Sequence, residues 1–180
     1  RLRVLFPTER DTNEVAVESA FAVERRNFFW PDTGDNMEAY YPFQPMQNFV
    51  DVADDTAGLA FLSKGLREYE AMDDDRRTLA ITLLRTHRAY MTSVDHLSPE
   101  ELERHIRGQH SLGEIEYEYA LYPHAGDWRE AEVLREAYDH KVPVRVLQGV
   151  PKEGELAVSQ SLFELEPRGA IQVSAFCQSE

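Results

Sequence analysis

Residues 48–62, NFVDVADDTAGLAFL, hold two short runs of β-forming residues on either side of a polar segment. The runs are residues 48–52 and 58–62, and the Asp, Thr and Gly residues between them favour a tight reversal of the chain. The stretch therefore predicts a β-hairpin, and it sets the pattern that the rest of the chain follows.

Similar strand-like runs occur on both sides of this hairpin. Residues 78–85, TLAITLLR, are almost continuously apolar, which predicts a strand that is buried on both faces. A turn at Pro167–Gly169 is predicted to join the last two strands. The other predicted strands cover residues 1–6, 15–23, 66–72, 142–147, 161–166 and 170–176.

Two short helices and one irregular stretch interrupt the strands. Ser98, Pro99 and the two glutamates that follow predict a helix that runs to Arg107 and stops at Gly108. A second helix is predicted over residues 128–140, with Asp127 as its cap, and residues 28–46 are predicted to form an irregular loop that packs its own aromatic rings. Strands separated by turns, with few helices, predict a mainly β fold, namely an antiparallel β-sandwich with two short helices.

The length and charge of the chain limit its organisation and its partners. With 180 residues, the chain is long enough for one domain with a real core, and we expect a single domain over residues 1–180. The net charge is −14, and the 19 basic residues are scattered, which argues against nucleic acid and against an anionic membrane surface as partners. No apolar run approaches the roughly 20 residues of a membrane span.

The single cysteine, Cys177, rules out an internal disulfide and fits a reducing compartment, so we expect a cytoplasmic location. The sequence shows no signal peptide. It begins with Arg1 rather than Met and enters a predicted strand at once, which favours a domain cut from a longer chain.

Recognisable catalytic motifs are absent from the sequence, which has no glycine-rich phosphate loop, no serine elbow and no paired cysteines. The run Asp73–Asp75 favours a solvated turn over a cation site, and Cys177 favours packing over nucleophilic chemistry. No two of the six histidines have the helical spacing of a metal pair, so structural roles are favoured for them and no metal site is predicted in this chain. Carboxylates are so abundant that none stands out as a catalytic acid or base.

The densest segment is residues 119–128, YALYPHAGDW. A strand that ends at Pro123, a glycine turn and a capping Asp predict a stiff corner between a strand and a helix. In the interpretation that the residues favour, His124 binds the backbone and Trp128 fills the core. In the alternative, His124 and Asp127 lie near a ligand.

Five blocks of the sequence, in order, resemble glycoside hydrolase family 38, the α-mannosidases. Their spacing is similar to that of the C-terminal β-domain of the bacterial and archaeal members, over almost the whole chain. The blocks are residues 2–8 with 19–23, residues 49–52 with 58–70, residues 79–85, residues 119–128, and residues 161–167. Ser63, Arg67 and the helix at 98–107 depart from the family pattern.

The resemblance implies a β-sandwich of the galactose-mutarotase or supersandwich type, which packs on an N-terminal catalytic domain of the same chain. It implies that the nucleophilic Asp and the zinc of a retaining α-mannosidase lie in that N-terminal barrel, so this chain holds no catalytic residue and no cofactor of its own. It also implies that Arg85 is the residue closest to the substrate, with His124 and Asp127 as weaker candidates for the substrate cleft. A structural ion pair is an equally good interpretation of Arg85.

Three functions follow for this chain. It is either a part of a glycoside hydrolase that cleaves terminal α-mannosyl bonds and is inactive alone, or a stand-alone module that binds mannose-containing glycans or another partner, or a structural scaffold. The aromatic residues between Phe28 and Tyr41 motivate the binding module, because sugars stack on exposed rings. The scaffold is what the residues alone favour, and it is compatible with the first function.

Overall fold

The computed structural model describes residues 1–28, 42–86, 97–109 and 111–150. Beyond these ranges it describes residues 153–155, 157, 159–161, 163–166, 173 and 177. Most of the predicted aromatic loop at 28–46, the turn at Pro167–Gly169 and most of the last predicted strand lie outside the described residues.

Nine strands and two helices make up the described part of the chain. The strands are β1 (Leu2–Pro7), β2 (Glu14–Ser19), β3 (Ala22–Asn27), β4 (Phe43–Pro45), β5 (Phe49–Ala53), β6 (Ala57–Ser63), β7 (Glu68–Ala71), β8 (Thr78–Leu84) and β9 (Tyr119–Ala125). The helices are α1 (Pro99–Gln109) and α2 (Val133–Lys141).

The strands form two antiparallel sheets. One sheet has four strands in the order β1-β8-β7-β4, and the other has five in the order β3-β2-β5-β6-β9. In the five-stranded sheet the β5–β6 hairpin is registered from Phe49 opposite Leu62 to Ala53 opposite Gly58. The antiparallel β-sandwich with two short helices is confirmed, as is the hairpin at 48–62.

The main core lies between the two sheets. Alternation along each strand sends one set of apolar side chains inward, which is the period-two pattern of a half-buried strand. Phe6, Phe61 and Tyr119 extend this core as an aromatic cluster. The buried members of the core are Val15, Val17, Phe28, Met46, Val50, Val52, Phe61, Leu66, Tyr69, Leu79 and Ile81.

Helix α2 covers the other face of the five-stranded sheet. Val133 and Ala137 of the helix pack on Phe49, Ala60 and Leu62 of β5 and β6. Glu18 and Asn48 hold the helix in place, because Tyr138 donates to Glu18 at 3.0 Å and Lys141 donates to Asn48 at 2.7 Å. Strands β5 and β6 are therefore buried on both faces.

Helix α1 begins as its sequence predicts. The backbone N–H of Ser98 donates to the Glu101 carboxylate at 2.9 Å, and the backbone N–H of Glu101 donates to the Ser98 hydroxyl at 3.3 Å. This reciprocal pair is a capping box. The helix ends at Gln109, two residues beyond the predicted Arg107.

Several sequence predictions need correction. Residues 15–23 are not one strand, because the chain reverses at Ala20 and Phe21 between β2 and β3. Pro123 does not end β9, since β9 is an edge strand in which a missing N–H is tolerated. Helix α2 begins at Val133 rather than residue 128, because Glu132 takes the left-handed conformation with φ of 51°.

The chain divides into two compact units, Arg1–Pro143 and Val144–Glu180. The described residues of the second unit form no helix or strand, and residues 142–147 are not a strand. Within the described ranges, neither helix is long and apolar enough to cross a membrane.

Replacing Phe61 by Ala tests the main core. The Phe61 side chain is fully buried between the sheets, so we expect the free energy of unfolding to fall by about 3–5 kcal/mol. Urea unfolding followed by tryptophan fluorescence measures the change. Leu112→Ala is the control, since Leu112 is 82% exposed and its loss should cost under about 0.5 kcal/mol. Equal effects of the two changes would contradict this placement of the core.

Candidate functional site

A buried histidine–aspartate pair links two strands of the five-stranded sheet. His124 lies on the edge strand β9 and Asp51 lies on β5, with β6 between them. The Nε2 atom of His124 is 2.9 Å from Oδ1 of Asp51. The imidazole therefore reaches across a whole strand to meet the carboxylate.

Gly58 of β6 makes this reach possible. It stands opposite His124 in the register, and a Cβ added to it would lie 2.3 Å from Cε1 and 2.5 Å from Nε2 of His124. Real Cβ atoms do not tolerate such contacts, so the ring occupies the space that a side chain at position 58 would fill. Tyr122 stacks on the same ring, with 5.8 Å between the centroids.

The pair is almost completely removed from solvent. The side chains of His124 and Asp51 are 3% and 1% exposed. Burial raises the pKa of Asp51 above its usual value, the hydrogen bond and charge of His124 oppose the rise, and the nearby Asp127 carboxylate adds to it. The His124 ring cannot touch a ligand in this arrangement, but it can fix the position of the corner that follows β9.

Asp127 shapes that corner. Its Oδ1 atom accepts hydrogen bonds from the backbone N–H groups of Arg129 at 2.8 Å and Glu130 at 3.0 Å. Its Oδ2 atom pairs with the Arg129 guanidinium at 3.2 Å. These hydrogen bonds, led by that from Glu130, hold the pKa of Asp127 below its usual value. Asp127 is therefore a cap, as predicted, but it caps the turn before α2 rather than α2 itself.

An acidic cavity of about 440 Å³ opens beside the corner. The Thr56 hydroxyl and the backbone N–H groups of Thr56 and Ala57 hold the pKa of Asp54, which lines this cavity, far below the usual range. Trp128 also lines the cavity, and its indole Nε1 is buried with no hydrogen-bond partner among the described residues. The ionisable residues of the lining are Asp11, Glu14, Arg25, Asp51, Asp54, Asp55 and Asp127.

The chemistry available in this cavity is mainly hydrogen-bond acceptance. Ionised carboxylates accept from hydroxyl or ammonium groups, and the Arg25 guanidinium is the charged donor of the lining. No three His, Cys, Asp or Glu side chains converge as metal ligands in the part of the chain that the structure describes. The described residues therefore do not fit a zinc ion.

Arg85 lies elsewhere, just beyond the end of β8 in the four-stranded sheet. Its Nη1 atom is 2.7 Å from Oε2 of Glu68, and its guanidinium lies over the Phe43 ring at 4.3 Å. Burial alone would raise the pKa of Glu68. Its pKa is nevertheless held below the usual value by hydrogen bonds from Thr82 and Arg85 and by the charge of Arg1. The Arg85 side chain is still 37% exposed.

The structure thus brings two of the three candidate residues together. His124 and Asp127 flank one corner of the five-stranded sheet, whereas Arg85 belongs to the other sheet. Asp51 and Gly58 complete the corner, and neither was predicted from the sequence as a site residue. Asp51 did carry a signal, since it is a carboxylate between two valines of a predicted strand.

Comparison with known proteins finds relatives among glycoside hydrolases. The chain is 32% identical over 172 residues to the "Putative mannosylglycerate hydrolase" of Halalkalibacterium halodurans. The aligned region covers 95% of this chain and 18% of that protein. An α-mannosidase from Enterococcus faecalis V583 superposes with a TM-score of 0.66 at 28% identity, over 86% of this chain and 16% of the other. A glycosyl hydrolase family 38 protein from Enterococcus faecalis gives a TM-score of 0.60, also at 28% identity and the same coverages. No family model matches the chain.

The fold and these relatives define the chain as a β-sandwich related to one part of large glycoside hydrolases. More particularly, the predicted resemblance to the family 38 α-mannosidases is confirmed. The chain spans less than a fifth of the length of these relatives.

The close approach of His124 to Gly58 can be tested with a double-mutant cycle. Gly58→Ala should lower the free energy of unfolding by about 1–3 kcal/mol, because its Cβ collides with the His124 ring. In a His124→Ala background the same change should cost about 1 kcal/mol less, because most of the collision is gone. Gly149→Ala is the control, since a Cβ there meets nothing. Equal costs of Gly58→Ala in both backgrounds would refute the contact.

The raised pKa of Asp51 predicts a pH dependence. Asp51 keeps its proton to a higher pH in the folded chain than in the unfolded chain. Protonation of Asp51 therefore contributes most to the free energy of unfolding at acidic pH. That contribution is lost as the pH rises from the usual value of 3.8 through the raised pKa. We therefore compare the free energies of unfolding of the wild type and of Asp51→Asn. The difference, wild type minus variant, should fall as the pH rises across this range. Urea unfolding at stepped pH measures it, and the exposed Asp55→Asn is the control, for which a much smaller trend is expected. A difference that rises with pH would contradict the assignment.

Proposed function

We propose that this chain is the C-terminal β-sandwich domain of a zinc-dependent retaining α-mannosidase, in which it packs on an N-terminal catalytic domain and helps to wall the sugar cleft. The observation that carries the proposal is the match of 28–32% identity to α-mannosidase-type enzymes over most of this chain. We also propose a cytoplasmic location, on the ground of the single cysteine.

The catalytic groups belong to the part of the enzyme outside this chain. A retaining glycosidase uses one carboxylate as nucleophile and a second carboxyl group as acid and base. Bound zinc would supply sites for sugar hydroxyls and electrostatic stabilisation. As the resemblance to the family 38 enzymes implies, we assign the metal and both carboxyl groups to the N-terminal domain, and we expect the 180-residue chain to be inactive alone.

Among the residues of this chain, we propose Arg85 as the one that contacts the substrate. Glu68 fixes one arm of its guanidinium, while the side chain remains partly exposed. A guanidinium held in this way presents its other N–H groups in a fixed fork, which suits a sugar hydroxyl or a carboxylate on the substrate. Asp127 is less suited to that role, because the turn that it caps already engages both carboxylate oxygens.

His124 has a different part in the proposal. Its ring is buried on Asp51, so it acts by positioning the corner rather than by touching sugar. Asp127 and Trp128, which line the acidic cavity, move with that corner. The carboxylates of the cavity can accept hydrogen bonds from mannose-containing glycans, at a site that lies at the opposite end of β1 from Arg85.

Arg85 can be tested in the full-length enzyme that contains this chain. With an aryl α-mannoside and zinc, we expect Arg85→Ala to lower kcat/KM by about 10–100-fold, the effect of losing one charged hydrogen bond. Arg85→Lys should recover only part of the loss, because lysine lacks the fork. Arg107→Ala, which removes an exposed arginine of α1, should leave kcat/KM unchanged.

Two further arms of this experiment sharpen the proposal. Mannosylglycerate carries a carboxylate, so a larger loss with it than with the neutral aryl mannoside would assign Arg85 to the acidic end of the substrate. If Arg85→Ala lowers thermal stability and leaves kcat/KM intact, the residue is a structural ion pair and its assignment to the cleft fails. Saturable hydrolysis by the 180-residue chain alone would overturn the proposed division of labour.

A further inference from the structure

The tip of the β2–β3 hairpin carries an aromatic side chain that is fully exposed. Phe21 is 101% exposed, and its backbone has a φ of 64°. The turn has only two residues, because Ser19 pairs directly with Ala22. An aromatic residue in the left-handed region is strained, and glycine or asparagine normally occupies such a position.

Phe21 is unusual among the residues that share this backbone conformation. The other described non-glycine residues with positive φ are Glu9, Arg77, Ser111 and Glu132, which are all polar or charged. At Phe21 the chain combines backbone strain with full exposure of an apolar ring to water. Neither stabilises the isolated domain, and strain of this kind persists mostly where a residue has a role in contact or function.

The hairpin presents this ring in a fixed place. Six residue pairs hold β2 against β3, from Glu14 opposite Asn27 to Ser19 opposite Ala22. The Ser19 hydroxyl also donates to the Glu24 carboxylate at 2.5 Å, which ties the base of the turn. A rigid anchor of this kind loses little entropy when it enters a pocket.

The neighbours of Phe21 indicate what kind of partner it fits. Ala20 and Ala22 flank the ring, are exposed, and have no hydrogen-bonding groups on their side chains. A sugar needs donors and acceptors for its hydroxyls beside any ring on which it stacks, and this tip has none on either side. An apolar pocket in a protein matches it better.

We propose that Phe21 is the anchor by which this domain docks on the N-terminal catalytic domain of its own chain, where it enters an apolar pocket. This inference rests on the proposed function. Its support is the length of the relatives, of which this chain spans only 16–18%, so that most of the enzyme is available to supply the pocket. The β2–β3 hairpin lies at the outer edge of the five-stranded sheet, where a second domain can reach it.

Hydrogen exchange tests the docking without relying on activity. Peptides that cover residues 19–24 should exchange about tenfold more slowly in the full-length enzyme than in the 180-residue chain. Phe21→Asn in the full-length enzyme should restore the fast exchange, since asparagine suits the turn but cannot fill an apolar pocket. Leu112→Asn, the same change of polarity at another exposed position, is the control and should leave the exchange slow.

Thermal unfolding gives a second readout. In the full-length enzyme, Phe21→Asn should lower the Tm of the transition in which this domain unfolds by about 2–4 °C for each kcal/mol of docking lost. The Tm of the 180-residue chain should stay unchanged or rise as strain is relieved. Equally fast exchange of residues 19–24 in both proteins would overturn the docking. The docking would also be overturned if Phe21→Asn left the full-length Tm unchanged but abolished the binding of mannose oligosaccharides. The same holds if it left that Tm unchanged but abolished self-association of the 180-residue chain.

The two proposals fail in different ways. If the full-length enzyme does not hydrolyse α-mannosides but protects residues 19–24, the docking stands and the proposed activity falls. If it hydrolyses them and leaves residues 19–24 unprotected, the activity stands and the docking falls.

Discussion

Burial of both faces of the β5–β6 hairpin is the constraint on which the rest of this structure depends. Phe61 and Val50 point into the core between the sheets, while Ala60 and Phe49 point into the contact with α2. A strand buried on both faces cannot slip by one residue, because a slip would exchange two well-packed sets of side chains. Strand β9 then pairs with β6 so that Gly58 stands opposite His124, and the β5–β6 register brings Asp51 within reach of the imidazole.

The features that the sequence could predict are those encoded by neighbouring residues. The hairpin at 48–62, the buried strand at 78–84 and the capping box at Ser98 each depend on a short local pattern, and each is present. The paired strands of residues 14–27 were missed because their turn uses Ala20 and Phe21 in place of the usual glycine or asparagine. Pairing of β2 with β3 requires Phe21 to take the left-handed conformation, and no residue type at that position predicts such a turn.

The candidate corner was harder to predict, because its parts come from three strands. His124 and Asp127 lie in one segment of the sequence and were selected together, whereas Asp51 is 73 residues away from His124 and Gly58 stands between them in space. Only the strand order puts these residues side by side. An aspartate between valines in a strand indicates a buried polar partner, but the identity of that partner depends on register.

The buried pair is better understood as a device for position than as a source of stability. A buried hydrogen-bonded polar pair gains little over apolar packing, while loss of one partner leaves the other polar group buried and unpaired. His124 and Asp51 therefore make one arrangement of β9 far better than its alternatives, and the Asp127 turn and Trp128 follow from that arrangement. Precision of this kind has little value in a domain that works alone. A fixed corner is useful where it must contact another protein surface. The exposed ring of Phe21, at the opposite edge of the five-stranded sheet, likewise indicates a domain that works in contact with another.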